Sequence, residues 1–372
     1  MKLLAFYLPQ FHEIPENNDA WGNGFTEWVN VKKAKPLFWG HYQPRHPLNQ
    51  NYYNLLDKNV MVQQMKLADK YGIGGFCFYH YWFKGKKVLE KPTEMILENP
   101  EAKLPFCFSW ANEAWTKTWH GAGGEKEVLI RQEYGDRKDW EEHYEYLSNF
   151  FKDERYIKKD NKPVLLIYQI REIPCFDEMM ECWNELAKKT GFDGIYIVSM
   201  LTSKNSSKPR KYIDGTVDFE PGKTRRQQIR KNDLLSGVKQ TVRQKNISIP
   251  FLNRFLVNQI DYDSINQEKM KEHHKENEYR GVFVDYDDTP RRGVNGIVTT
   301  GSTPLKFEAY LTKHIEKACL EHSDFIFINA WNEWGESNYL EPDEKYGFAY
   351  LHSVRRALKV NGVKWDRVYK NR

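Results

Sequence analysis

The segment DFIFINAWNEWGESNYLEP (324–342) joins an apolar run to a polar turn that is rich in indole rings. The run 324–330 has the near-continuous apolar character that is typical of a strand covered on both faces. Seven earlier runs share this character, and they are LLAFYL (3–8), GFCFYHY (75–81), PFCFSW (105–110), PVLLIY (163–168), GIYIVSM (194–200), GTVDFE (215–220) and GVFVDY (281–286). The eight runs predict a parallel sheet with both faces buried, and they place the polar turn at the carboxyl end of the last strand.

Helical segments separate most of these runs. Apolar residues recur at helical spacing in four ranges, which are 57–71, 140–151, 176–189 and 304–321. Alternating strands and helices favour an α/β fold, and eight units favour a closed (β/α)8 TIM barrel, predicted as a single domain over residues 1–372 with long loops after its strands. An open doubly wound sheet is the alternative, but no GxGxxG motif follows the first run and no GxxxxGKS/T motif occurs. The stretch 201–214 is too short and polar to predict a helix.

The overall composition is that of a globular protein. Hydrophobic residues make up 40% and charged residues 29% of the 372 residues, which excludes disorder and a coiled coil. Apolar runs fall short of the roughly 18 residues of a membrane helix, and the opening MKLLAFYLPQFHE lacks the pattern of a signal peptide, so we expect a cytoplasmic protein without a membrane span. The five cysteines form no CxxC motif and are predicted to be free and buried. We predict no metal and no other cofactor.

Positive charge is concentrated in one segment. Twelve Lys or Arg and four Asp or Glu lie between residues 204 and 245, a local charge of +8 against +5 for the whole chain. This basic segment could bind an anionic or sulfated glycan or a lipid phosphate, or it could be a solvated helix face. We expect no nucleic-acid partner, and the oligomeric state is left open.

Tryptophan is unusually frequent at one end of the predicted barrel. Nine of the twelve Trp follow predicted strands, and they are Trp21, Trp28, Trp39, Trp82, Trp110, Trp115, Trp119, Trp331 and Trp334. The carboxyl ends of the strands are where barrel enzymes carry their sites, and flat rings there can stack on sugar rings. We predict such stacking for Trp28, Trp82, Trp115, Trp331 and Trp334. The alternative is that the rings pack the long loops.

Two carboxylates stand among these indoles. Glu333 and Glu336 are three residues apart, beside Trp331, Asn332 and Trp334. Apolar surroundings and a neighbouring like charge both raise the pKa of a carboxyl group. Two carboxyl groups with different pKa values are what acid–base catalysis at a glycosidic bond needs. We therefore predict Glu333 and Glu336 as the catalytic pair, with a salt-bridged loop as the alternative.

Further candidates follow other strands. Asp287 and Arg291 in DYDDTPRRG (285–293) could hold sugar hydroxyls or an anionic group. The alternative is that the charged residues of this loop form ion pairs with each other and so shape the loop. Glu113 is a candidate acid or substrate clamp. The predicted substrate-binding polar residues are Glu27, His80, Asn112, Glu113, Asp287, Arg291 and Asn332.

Five blocks carry a resemblance to a known family. They are YLPQFHEIPENNDAWGNGFTEWVNV (7–31), FCFYHYWF (76–83), FSWANEAWTKTW (108–119), DYDDTPRRG (285–293) and NAWNEWGE (329–336). Together they resemble the WbsX-type proteins of bacterial polysaccharide loci, which are similar to glycoside hydrolase family 99, the endo-acting α-mannosidases and α-mannanases. The resemblance implies a metal-free barrel that retains anomeric configuration. The chain departs from the hydrolases in its first loop and around 109–115, so exo or endo action and the substrate do not carry over.

The resemblance also implies roles for the two glutamates. Glu333 would act as base on the sugar's own 2-hydroxyl, which forms a 1,2-anhydro sugar, and Glu336 would protonate the leaving oxygen and then activate water. We therefore expect a retaining glycoside hydrolase that acts on a bacterial polysaccharide or a related α-linked, manno-configured glycan, including an anionic one. One alternative is a glycosyltransferase of O-antigen or capsule biosynthesis, for which Asp285–Tyr286–Asp287 is a weak DxD match. Another is a glycan-binding barrel without catalysis.

Overall fold

The computed structural model describes residues 1–117, 127–203, 210–225 and 250–369, and it shows a closed parallel barrel. Its eight strands, β1 to β8, are Lys2–Tyr7, Gly75–His80, Phe106–Trp110, Lys162–Ile167, Tyr196–Leu201, Gly215–Asp218, Glu278–Phe283 and Phe325–Asn329. Each pairs in parallel with the next, and β8 returns to β1 with Phe325 opposite Lys2, which closes the ring. The predicted TIM barrel is confirmed, with a strand at each of the eight apolar runs.

Helices cover the outside of this barrel. The outer helices are Lys58–Tyr71, Lys91–Glu98, Arg137–Phe151, Phe176–Lys189, Tyr262–Lys269, Pro304–Leu320 and Ala349–Val360. The third begins three residues before its predicted start because the side chain of Asp136 caps it, accepting from the backbone N–H groups of Lys138 and Asp139. In the described part of the chain, no helix is long and apolar enough to cross a membrane.

Aromatic rings fill the barrel beneath its carboxyl-terminal mouth. Phe6 of β1 stacks on Tyr79 of β2 at 5.8 Å and on Phe327 of β8 at 5.6 Å between ring centres, and Phe219 meets it edge-on. Side chains alternate along a strand, so Tyr79 faces the interior while His80 faces the helices. Cys77 and Cys107 are buried free thiols as predicted, whereas Cys319 is exposed, because it lies on the outward face of helix Pro304–Leu320.

Long loops after β1, β7 and β8 build the mouth. The loop after β1 contains helices Pro15–Trp21 and Glu27–Lys33, the loop after β7 contains helix Thr289–Arg292, and the loop after β8 contains the short strands Asn332–Glu333 and Asn338–Tyr339. Shorter strands elsewhere are Trp82–Phe83, Lys86–Lys87, Trp115–Thr116, Val128–Ile130, Lys158–Lys159, Asn258–Asp261 and Ile297–Thr300, and one further helix is Pro250–Leu256. Arg45 joins the loop after β1 to both of the others. It pairs with Asp285 of the loop after β7 at 2.8 Å, and it donates to the backbone oxygen of Ser337 in the loop after β8.

Candidate active site

One arginine gathers three carboxylates at the mouth of the barrel. Nε of Arg291 donates to Oε1 of Glu27 at 2.8 Å, Nη1 donates to Oε1 of Glu336 at 3.0 Å, and Nη2 donates to Oε2 of Glu333 at 3.3 Å. The four residues come from the loops after β1, β7 and β8. The structure thus brings together the predicted catalytic pair and two predicted substrate-binding residues. We call these four residues the acidic cluster.

Burial keeps a proton in the acidic cluster. Three carboxylates against one guanidinium would leave two uncompensated negative charges if all were ionised. Burial, and then the charge of Glu336, raise the pKa of Glu333 from an ordinary 4.5 to about 8, although Arg291 opposes the shift. Burial also raises the pKa of Glu27, against the opposing charge of Arg291. Near neutral pH Glu333 therefore holds a proton, and a protonated carboxyl group in the cluster is what acid catalysis requires.

Tyrosines line the same space. Burial first, and then the charge of Glu333, raise the pKa of both Tyr79 and Tyr81, which places two neutral phenols beside that carboxyl. Burial, and then the charge of Glu113, raise the pKa of Tyr168, to which Glu336 also contributes. Tyr168 is therefore near enough to both Glu113 and Glu336 to feel their charges. A partly exposed Glu113 remains a predicted site residue.

Sequence reasoning missed one cation at this site. Arg225 lies over the ring of Tyr286, 4.7 Å from its centre. Burial lowers the pKa of its guanidinium, but nearby Tyr286, Asp288 and Glu336 more than offset this, and the pKa is raised. Arg225 belongs to the basic segment 204–245, and within that segment residues 204–209 and 226–245 lie outside the described residues. The only signal for Arg225 was its place shortly after β6.

The five tryptophans that were predicted to stack on sugar rings pack against the loops in this structure. Their exposed fractions are at most 8%, and they are Trp28, Trp82, Trp115, Trp331 and Trp334. Trp334 stacks on Tyr339 at 3.7 Å, and Trp82 stacks on His143 at 4.4 Å between ring centres. Four of these five indole N–H groups donate to acceptors inside the protein, as that of Trp334 does to Glu341, 2.7 Å away. The faces of these rings are covered in this structure, and their stacking on sugar rings stays a prediction.

Four predicted polar contacts are also turned inward. His80 faces the helix Arg137–Phe151, 2.8 Å from His143 between Nε2 atoms, and burial lowers its pKa to about 3. The Asn332 amide bonds both backbone groups of Leu8, and the Asn112 amide bonds both backbone groups of Gln169.

Asp287 accepts from side chains of the first loop and from its own turn. Its Oδ2 lies 2.7 Å from Nε2 of His41 and accepts from Nε2 of Gln43, and its Oδ1 accepts from Thr289. Asp287, Asn112, Asn332 and His80 are each at most 5% exposed and support the loops in this structure, and their contact with substrate stays a prediction.

The glycine within the WNEWGE turn is a contact point of the acidic cluster. A Cβ atom at Gly335 would overlap Oε1 of Glu27 and would lie 2.7 Å from Nε of Arg291. We expect Gly335→Ala to displace the Glu27–Arg291 pair and to lower the free energy of unfolding by about 1–3 kcal/mol, as overpacking does. Urea denaturation measures this. Gly347→Ala is the control, since nothing lies within 4 Å there and only its backbone (φ +52°) is strained. Equal losses in both variants would contradict the prediction.

The residues that could form a metal site do not lie at the mouth. Among described residues one group has three potential ligands within reach of each other, Asp218, Glu272 and His274. The ammonium group of Lys269 already contacts the carboxylates of Asp218 and Glu272, so it supplies the positive charge that these two groups need.

Solved structures share this barrel. The GH99 endo-alpha-mannosidase of Bacteroides thetaiotaomicron matches with a TM-score of 0.55 at 14% identity, over 97% of both chains. A protein described as glycoside hydrolase-like matches with a TM-score of 0.56 at 10% identity, over 96% of this chain and 93% of that one. At such identities the likeness shows the fold alone. The class is therefore a barrel with a GH99-like fold.

The family follows from the sequence match. A family model described as "Glycosyltransferase WbsX" matches residues 3–354, so the chain belongs to the WbsX family. WxcX proteins from two strains of Xanthomonas campestris pv. campestris, both described as uncharacterized, are 33% and 32% identical over 359 residues. These matches cover 96% of this chain and 49% of each relative, so the chain spans about half the length of these curated relatives.

Proposed function

We propose that the chain is a retaining glycoside hydrolase that acts on a bacterial polysaccharide or a related α-linked, manno-configured glycan. The observation that carries the proposal is the pair Glu333 and Glu336, bound to one guanidinium at the mouth of a GH99-like barrel. Barrel enzymes perform their chemistry at this end, and a buried pair that holds one proton can supply both a base and an acid.

The proposed reaction needs no protein nucleophile. Glu333 removes the proton of the substrate's 2-hydroxyl, O2 attacks the anomeric carbon, and Glu336 gives its proton to the leaving oxygen as the glycosidic bond breaks. Water then opens the 1,2-anhydro sugar, Glu336 takes a proton from that water, and O2 regains a proton from Glu333. An oxygen of the substrate that is already placed for attack replaces an enzyme nucleophile through proximity.

The residues of the acidic cluster suit these roles. Glu336 has a side chain that is 22% exposed, against 6% for Glu333, so Glu336 is the more accessible to a leaving group. The proposal requires the proton that burial keeps on Glu333 to pass to Glu336 when substrate binds, so that Glu336 is the acid and Glu333 the base. Arg291 contacts both and stabilises the ionised member in either arrangement.

The pH dependence of kcat/KM follows from the raised pKa. Glu333 keeps its proton up to its pKa of about 8. Above that pH the acidic cluster loses this proton, and the acid that must protonate the leaving oxygen has none to give. We therefore expect activity to fall as pH rises through about 8. Initial rates at low substrate concentration across the neutral and alkaline range measure this limb. A profile that stays flat well above pH 8 would contradict it.

A product analysis tests the proposal as a whole. Defined α-linked oligosaccharides and bacterial polysaccharides are incubated with the protein, and NMR spectroscopy records the anomer that is released first. Retention of the α-configuration supports the proposal. A first product of inverted configuration, or the absence of any hydrolysis across a broad panel, speaks against it.

Glycosyl transfer is the second candidate, since the family description names it. The weak DxD match does not strengthen it, because Asp285 is paired with Arg45 at 2.8 Å and Asp287 is fully buried with bonds to His41 and Gln43. Transfer would appear as consumption of a sugar nucleotide when a divalent metal is added. A binding barrel without catalysis would instead hold glycan with equal affinity before and after Glu336→Gln, with no turnover in either form.

A further inference from the structure

A cavity adjoins the acidic cluster on the side of the loop after β1. Its volume is about 390 Å³, within the range of small-molecule pockets, and it lies between helix Glu27–Lys33 and helix Thr289–Arg292. Arg291 lines it, and the same side chain holds Glu27, Glu333 and Glu336. A glycan bound at the catalytic pair is thus one side chain away from this cavity.

An aromatic pair forms part of the cavity wall. Trp21 and Phe25 pack at 4.9 Å between ring centres, with 30° between their planes, and both line the cavity. Phe25 is buried, whereas Trp21 is partly exposed, in contrast to the five covered indoles. An indole that is supported from behind by a second ring can pack against the C–H face of a sugar.

The charge of the cavity wall is positive. Lys33 and Lys35 line it, and both are exposed. Within the ranges that the structure describes, neither lysine forms an ion pair, and no carboxylate residue lines the cavity. The one other charged residue of the lining, Arg291, is already paired with carboxylates. Among the described residues, two lysines that form no ion pair therefore line a space that is large enough for a sugar residue.

We propose that this cavity binds an acidic sugar residue of the glycan, with the carboxylate near Lys33 and Lys35 and the sugar ring against Trp21. The proposal rests on the proposed function for the nature of the ligand and adds its chemical class, a glycan that carries uronic acid. It assigns selectivity for the anionic residue to the first loop.

Paired oligosaccharides test the assignment. Each probe is a uronic-acid-containing oligosaccharide, such as a mannuronate tetrasaccharide, compared with the same molecule after its carboxyl groups are reduced to hydroxymethyl groups. We expect the wild-type chain to bind at least one acidic member about three- to tenfold more tightly than its reduced form at low salt, as two partly exposed charge pairs would give. The preference should shrink at high salt, because salt screens exposed charges.

Variants locate the preference. Lys33→Gln with Lys35→Gln should bring the acidic and reduced probes within about twofold of each other, since the two charges supply the difference. The control is Lys359→Gln with Lys364→Gln, two exposed lysines outside the cavity, which changes net charge equally and should keep the preference. Trp21→Ala should weaken both probes alike. Calorimetric titration gives the affinities, and thermal unfolding shows that each variant is folded.

The outcomes separate this proposal from the proposed function. Equal affinity for acidic and reduced probes, binding of neither, or a preference that survives loss of both lysines overturns the acidic-sugar site. Hydrolysis of a neutral α-linked glycan with no acidic preference would leave the proposed function standing while the site fails. An acidic preference without any turnover would leave the site standing while the hydrolase proposal fails.

Discussion

Replacing Glu336 with Gln should lower turnover of a cleaved glycan by about two to four orders of magnitude, the usual contribution of a general acid. The amide keeps the size of the side chain and can still lie against Arg291, but it has no proton of suitable acidity for the leaving oxygen. KM should change little, because the substitution removes an interaction of the transition state. Steady-state kinetics on the best substrate of the panel measure both parameters.

Glu344→Gln provides the matched control for this loss. Glu344 lies on the same loop and is exposed, and it has no place in the acidic cluster, so its amide variant should keep full activity. A second probe is a substrate with a good leaving group, which needs less protonation and should recover part of the rate in Glu336→Gln. Normal turnover of an ordinary substrate by Glu336→Gln would remove this residue from the mechanism.

Removing the guanidinium of Arg291 should cost about 3–5 kcal/mol of unfolding free energy at neutral pH, the scale for breaking a buried ion pair. Arg291→Met keeps much of the volume but leaves Glu27, Glu333 and Glu336 without their shared cation. The loss should be smaller in mild acid, because protonated carboxyl groups repel each other less. Urea denaturation at two pH values measures the difference.

The adjacent arginine is the control for this stability change. Arg292 has a side chain that is 52% exposed and pairs with Asp288 at 3.2 Å. Because the Arg292 side chain is half exposed and Asp288 also accepts from Tyr286 and from the backbone of Ile297, Arg292→Met should cost only about 1 kcal/mol. Similar losses of unfolding free energy for the two variants, or a loss for Arg291→Met that does not depend on pH, would contradict the conclusion that Arg291 compensates the three carboxylates of the acidic cluster.

The barrel could be predicted because its strands are short, buried on both faces and therefore apolar throughout. The position of the two carboxylates of the WNEWGE turn at the mouth could be predicted, because the loops that follow the strands of a barrel meet at its carboxyl-terminal end. The bonds between Arg291 and Glu27 could not, since 264 positions separate these residues and local patterns say nothing about such a contact. The covered faces of the indoles could not be predicted for a related reason, because their N–H acceptors, such as Asn17 for Trp115, come from distant segments.

Arg225 could not be singled out from the sequence, because too many residues share its signal. The run of positive charge makes every lysine and arginine between residues 204 and 245 an equal candidate for binding. Only the fold distinguishes the one that lies over Tyr286 beside Glu336 from the others of the segment.

The ion pair between Arg291 and Glu27 in the acidic cluster has a consequence for synthesis of the chain on the ribosome. Glu27 emerges early, but the cation that compensates its charge follows 264 positions later. An ionised carboxylate cannot be withdrawn from water without a partner except at high cost. The first loop must therefore stay hydrated until almost the whole barrel has been made, and its docking is one of the last steps of folding. A nascent chain arrested before residue 291 should expose this loop to proteases, although its early strands are already paired.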